Sequence, residues 1–149
     1  MTNLSKHFTL AELTRSATAE KRHFSNVPSP HILANVTKTA EAMEEVRDLF
    51  GVPIRVSSGY RSPAVNQAVG GTGKSAHCFG WAVDFNIPDL RPYDVCRKIA
   101  ASGVVFDQLI HEYGAWTHIS FEPRLRHQLL TIANARQGYK AGIIAIPKR

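Results

Sequence analysis

From Ile32 through Leu33, Val36, Ala40, Met43, Val46, Leu49 and Phe50, apolar residues recur every three or four positions. That spacing predicts one long amphipathic helix within HILANVTKTAEAMEEVRDLFG, stopped by Gly51 and Pro53. Upstream, FTLAELTRS reads as a short helix with Thr9 as N-cap and Glu12 three residues on, a capping box. The segment between them, ATAEKRHFSNVPSP, carries prolines at 28 and 30 and is expected to be loop.

Further on the period falls to two. GWAVDFNI sets Trp81, Val83, Phe85 and Ile87 against Ala82, Asp84 and Asn86, a strand with one polar face. FDQLIHEYG and AWTHISFE read as two more strands joined by a tight turn at Gly114, and IRVSSGYRS begins as a short strand and ends in a turn. SPAVNQAV supplies one or two helical turns before the loop GGTGKSAH. RPYDVCRKIAAS is a second amphipathic helix, and HQLLTIANARQGYKAGIIAI a closing strand and loop. Helices come first and antiparallel strands later, with one helix inserted, which is an α+β pattern. With 149 residues and neither repeat nor linker, residues 1–149 are expected to form a single domain.

Composition narrows the function classes. The 44% hydrophobic and 20% charged shares are those of a soluble globular protein, and no apolar run reaches membrane-spanning length. The polar start MTNLSKHFTLAEL is unlike a secretory signal, so synthesis in the cytosol without a membrane anchor is expected. The net charge of +6 favours a polyanionic partner. The basic residues are dispersed rather than gathered into a stripe, which argues against nucleic acid. Two cysteines, Cys78 and Cys96, are too few for a disulfide framework. Cys78 adjoins His77, and neighbours on an extended chain point apart, so Cys78 is expected to be a buried free thiol rather than a ligand.

The stretch AVGGTGKSAHCFGWAVDF, residues 68–85, admits two readings. Its first half, with Lys74 and Ser75, nearly spells a phosphate-binding loop. Such a loop needs a strand leading into the glycines and a helix starting at the lysine; neither pattern is present. Its second half places His77 seven residues before Asp84, and His118 lies mid-strand in AWTHISFE on the face shared by Trp116 and Ser120. Two histidines and a carboxylate are the usual ligand set of a catalytic zinc, with a position left for water. The competing reading of His118 is a core histidine satisfied by hydrogen bonds.

A hydrolase built on such a site also needs a general base and a cation. Glu112, six residues before His118 and across the turn at Gly114, can reach the same face. Arg61, in SGYRSP, suits a carboxylate or a polarised carbonyl because its guanidinium is planar and bidentate. Ser75 is a candidate substrate contact, with a loop-capping role as the alternative. His7, His23, His31, His111 and His127 lack comparable neighbours and are read as structural or surface residues.

These motifs resemble a known family. SSGYRSPAVNQAVGGTGKSAHCFGWAVDF is similar to the SGYRS…N…GG…S-x-H-x-x-G-x-A-x-D signature of zinc D-Ala-D-Ala carboxypeptidases and phage peptidoglycan endopeptidases. LIHEYGAWTHISF resembles their second motif, E…W-x-H-x-S, and the likeness covers roughly residues 8–125, including FTLAEL…N.P. The resemblance implies a hedgehog/DD-peptidase α+β fold, a central antiparallel sheet with helices packed on it, and a motif core over about residues 54–122. It further implies one zinc per chain held by His77, Asp84 and His118, and hydrolysis of a peptide bond in peptidoglycan stem peptides. Arg61 would stabilise the substrate carbonyl or carboxylate, Ser75 would contact substrate, and Trp116 would line the site. Several relatives carry a carboxylate three residues before the last histidine, where this chain has Ala115, so Glu112 takes the acid/base role. A monomeric phage or prophage endolysin acting on the wall after release is the expected setting. A D-Ala-D-Ala carboxypeptidase and a non-catalytic wall-binding protein are the alternatives.

Overall fold

The computed structural model describes residues 2–73 and 75–147. Lys74, the lysine of the phosphate-loop reading, lies outside them. The opening helix α1 (Leu10–Thr14) starts as expected: Thr9 accepts from the Glu12 backbone N–H while the Glu12 carboxylate takes the Thr9 N–H. The segment expected to be loop holds a second short helix, α2 (Ala17–Arg22). Ser16 caps it, accepting from the Ala19 N–H, and His23 ends it in a left-handed conformation. Pro28 and Pro30 lie beyond this helix and do not interrupt it. Pro30 sits in the first turn of the long helix α3 (Pro30–Phe50), where its missing N–H costs nothing.

After α3 come β1 (Arg55–Ser58), α4 (Pro63–Ala68), a single 3-10 turn (Ala76–Phe79), β2 (Ala82–Asn86), α5 (Pro92–Ala100), β3 (Gln108–Glu112), β4 (Trp116–Ser120), β5 (Gln128–Ile132) and β6 (Tyr139–Ala141). The six strands form one sheet in the order β1-β2-β4-β3-β5-β6. All pairs are antiparallel except β3 with β5, which run parallel. The closing segment is therefore two strands rather than one, and it introduces one parallel pairing, β3 with β5, into the expected antiparallel sheet. Among the described residues, no helix is long and apolar enough to cross a membrane.

The alternation read from the sequence sorts the two faces. Val83, Phe85, Leu109 and Ile119 point to a core completed by Val36, Ala40, Met43 and Val46 of α3 and Val95, Cys96 and Ile99 of α5. Cys96 Sγ lies 3.6 Å from the Thr117 hydroxyl, so α5 packs on that face. Burial pushes the Cys96 thiol up to about 12, which keeps it protonated and inert. The opposite face carries Asp84, His118, Glu112 and Trp116.

The 3-10 turn corrects one expectation, since the glycine and the two-residue period around it suggested no helix. Gly80 ends the turn at φ 80°, and a Cβ there would lie 2.8 Å from Val36 Cγ2. α3 holds the turn from the other side: Thr39 Oγ1 donates to the Gly80 carbonyl at 2.6 Å and Asn35 Nδ2 donates to the Phe79 carbonyl at 3.0 Å. Only glycine tolerates both the left-handed backbone and the close approach. Gly80→Ala is expected to destabilise the protein by about 2 kcal/mol or more, combining left-handed strain with overpacking against α3. Urea denaturation will read the change as a lower midpoint.

Candidate metal centre and cleft

Register brings the first two site residues together. β2 and β4 pair so that Asp84 lies directly opposite His118, and β3 pairs with β4 so that Ile110 lies opposite His118 and Glu112 opposite Trp116. The β3–β4 connection turns through Tyr113 and Gly114, both at positive φ (59° and 67°), which returns the chain tightly enough to keep Glu112 on the face of His118. His77 arrives separately, on the 3-10 turn.

His77, Asp84 and His118 form a buried cluster in which one ligand atom from each lies within 4.8 Å of the others. His118 Nδ1 is 2.8 Å and His77 Nε2 3.3 Å from the same oxygen, Asp84 Oδ1. The other nitrogen of His77, Nδ1, donates to the Gly59 carbonyl at 2.7 Å. That bond fixes the tautomer and directs the Nε2 lone pair into the cluster, the usual outer support of a metal-binding histidine. Burial lowers the His77 pKa and keeps the ring neutral, against the pull of Asp84. Burial would raise the Asp84 pKa, but the two imidazoles hold it well below the usual carboxylate range. His118 is shifted up: burial works against its charge, and its hydrogen bond to Asp84 outweighs that. One anion and two imidazoles converging on a single point is donor chemistry that fits a zinc ion.

Glu112 Oε1 lies 3.8 Å from His118 Nδ1, beside the cluster rather than within it. Burial pushes its carboxyl up to about 6, against the opposing charge of His118. The Trp116 indole leans on this carboxyl closely enough to weaken the rise, yet its buried Nε1 completes no hydrogen bond of ordinary geometry. Arg61 Nε is also buried without a partner, while the Arg61 backbone N–H donates to the His77 carbonyl at 3.1 Å. Ser75 does the capping job: its Oγ accepts from the His77 N–H at 3.2 Å. It also lines the cleft, so both of its expected roles stay open to one side chain.

All seven sequence-predicted site residues (Arg61, Ser75, His77, Asp84, Glu112, Trp116 and His118) line one cleft of ≈ 450 Å3. Cys78 does not: it is half-buried rather than fully buried and faces a different cavity with Tyr60 and Phe79. It sits on a tight turn, not on the extended chain that the sequence suggested. His111, one residue from Glu112, points to the other face and binds the Ile144 carbonyl at 2.9 Å.

Sequence reasoning missed the supports. Gly59 carries no side chain because a Cβ there would lie 2.4 Å from the Leu13 carbonyl oxygen, and it is the Gly59 carbonyl that orients His77. Asn26 pins the turn that bears Arg61. Its Nδ2 donates to the Thr14 and Tyr60 carbonyls at 2.6 and 3.0 Å, and its Oδ1 accepts from the Ser62 N–H at 2.7 Å. The asparagine stood in the sequence as part of FTLAEL…N.P, but no local pattern says that it reaches a turn 36 residues away. Arg124 and Arg126, which the sequence shows only as dispersed charge, also line the cleft, with Glu122 beside them.

The peptidase M15 family model matches residues 6–120 of this chain. Among curated proteins, none matches it.

Asn26→Ala is expected to cost about 1–3 kcal/mol, because three backbone groups lose their partner at once. A urea titration with unchanged slope and a lowered midpoint will show the loss.

Proposed function

The chain belongs to the peptidase M15 family, and on that premise we propose that it is a zinc endopeptidase that cuts a peptide bond in the stem peptides of bacterial peptidoglycan. The carrying observation is the convergence of His77, Asp84, His118, Glu112 and Arg61 on one cleft. His77, Asp84 and His118 would hold one zinc per chain. Zinc supplies Lewis acidity there, activating water for attack and polarising the scissile carbonyl.

The other residues divide the remaining work. Glu112 accepts the proton of the attacking water and returns it to the leaving amine, and a carboxyl raised to about 6 is suited to both halves of that exchange. The position three residues before His118 is Ala115, on the turn, where its carbonyl accepts from Asn86 Nδ2 at 2.8 Å. Glu112 reaches the cluster from the strand instead, which favours an active enzyme over a binding protein that has lost its base. Arg61 brings a buried, unpartnered Nε–H to the cleft, a donor free for the substrate carbonyl or carboxylate. Trp116 supplies an apolar wall and Ser75 a hydroxyl at the rim.

The cleft runs past the cluster to Gln108 and Arg126, leaving room for residues on both sides of the cut. That length favours endopeptidase action over removal of a terminal D-alanine. The net charge of +6 favours adhesion to an anionic wall, in keeping with an endolysin role.

Protein purified without chelator is expected to contain one zinc per chain, and chelation is expected to abolish both zinc content and muropeptide hydrolysis. His77→Ala and Asp84→Ala should lose both. Glu112→Gln should keep the zinc and lose roughly 10²–10⁴-fold in kcat. Mass analysis of the digest distinguishes endopeptidase fragments from the loss of a single D-alanine. Undiminished wall lysis by zinc-free protein would sink the proposal.

A further inference from the structure

The cleft does not end at the histidine–aspartate cluster. Its far wall is formed by Glu122, Arg124 and Arg126, all beyond the stretch that the family model matches. Asp107, with a side chain only 1% exposed, is the anchor of that wall. Its Oδ1 accepts from Arg126 Nε at 2.9 Å and from the Arg126 backbone N–H at 3.0 Å, and its Oδ2 accepts from Arg126 Nη2 at 3.0 Å. The Arg126 guanidinium is thereby locked in orientation. A guanidinium has five N–H donors, and Asp107 engages only two of its side-chain nitrogens, so donors remain on a side chain that lines the cleft.

Arg124 is held more loosely. Its Nε is 3.6 Å from Asp107 Oδ2 and its Nη2 is 3.0 Å from Glu122 Oε2, with the Arg124 side chain 56% exposed. An ion pair that open to solvent contributes little, so an incoming anion can displace Glu122 at small cost. The two guanidiniums together present the forked donors that match a carboxylate.

Strand register gives the position of this wall along a bound peptide. Ile110 marks the level of His118, and Asp107 lies three residues before it in the chain. At about 3.3 Å per residue the wall is roughly 10 Å along the cleft from the metal cluster, a distance that an extended peptide covers in about three residues.

We propose that Arg124 and Arg126 form a carboxylate subsite that receives a free carboxylate of an acidic residue about two to three positions from the scissile bond. Glu122 is the internal competitor that this carboxylate displaces. The subsite makes acidic stem peptides, rather than peptides in general, the substrate class of the cleft, and in that respect it rests on the peptidase reading above.

The test uses one stem peptide in two forms, with its side carboxylates free and with them amidated. Both are titrated calorimetrically into zinc-loaded Glu112→Gln protein, in which binding is read without cleavage. The free acid is expected to bind about tenfold more tightly than the amide. Adding Arg124→Ala, at an exposed position where folding is not at stake, should bring the ratio close to one. Adding Glu122→Gln should widen it severalfold by removing the competitor. In the unmutated enzyme the preference should appear in KM, with kcat little changed. Equal affinity for the two forms, no binding of either, or a preference that survives Arg124→Ala overturns the subsite. Cleavage of both forms without discrimination leaves the peptidase reading standing and the subsite fallen. Discriminating binding with no cleavage by the unmutated enzyme does the reverse.

Discussion

A carboxylate as deeply placed as that of Asp84 is costly unless it is paired; His118, 2.8 Å from its Oδ1, pairs it, and His77 Nε2 stands 3.3 Å from the same oxygen. That requirement reaches into every part of the fold. His118 must stand opposite on β4, so the β2–β4 register is fixed to the residue; a slip of one would put Asp84 and His118 on opposite faces of the sheet. His77 must arrive from outside the sheet, so a 3-10 turn has to be held at the edge of the cleft. The turn is held by α3 through Thr39 and Asn35, and the imidazole by Gly59 at the end of β1. A metal ion in the cluster would take over the neutralising role, its ligands held by the same contacts.

The sheet, the long helix and the capping box of α1 were legible because each is local. Period two across GWAVDFNI and AWTHISFE places Asp84 and His118 on the cleft face, and the turn at Gly114 brings Glu112 to the same side. What the sequence did not reveal depends on contacts distant in the chain. α2 was hidden by prolines that lie beyond it rather than within it. The 3-10 turn has four residues, too few for any periodicity, and its shape is set by docking on α3 rather than by propensity. The parallel pairing of β5 with β3 has no local signature either, since a strand's alternation is the same in both directions.

The site divides along the same line. Arg61, Ser75, His77, Asp84, Glu112, Trp116 and His118 all fall within short motifs, and all lie inside the stretch matched by the family model. Asn26, Asp107 and Arg126 act through partners 12 to 36 residues away, and only the folded chain shows what they hold. Motif residues are legible in the sequence because the chemistry proposed for them would constrain residue type and spacing. Supporting residues are constrained only by the backbone group that needs a partner, which many sequences can supply.

Among the described residues, two buried donors depart from the general rule that buried polar atoms are hydrogen-bonded: Arg61 Nε has no partner, and Trp116 Nε1 only leans on the Glu112 carboxyl without a bond of ordinary geometry. Both residues line the same cleft as the histidine–aspartate cluster. A fold selected for stability alone would have paired them or replaced them with apolar side chains, because each unsatisfied donor costs about 1–3 kcal/mol. Their retention is intelligible if a ligand with hydrogen-bond acceptors completes them. A peptide backbone does so with its carbonyls, whereas a metal ion offers none. Under the peptidase reading, an extended peptide lying over the cluster would supply such acceptors.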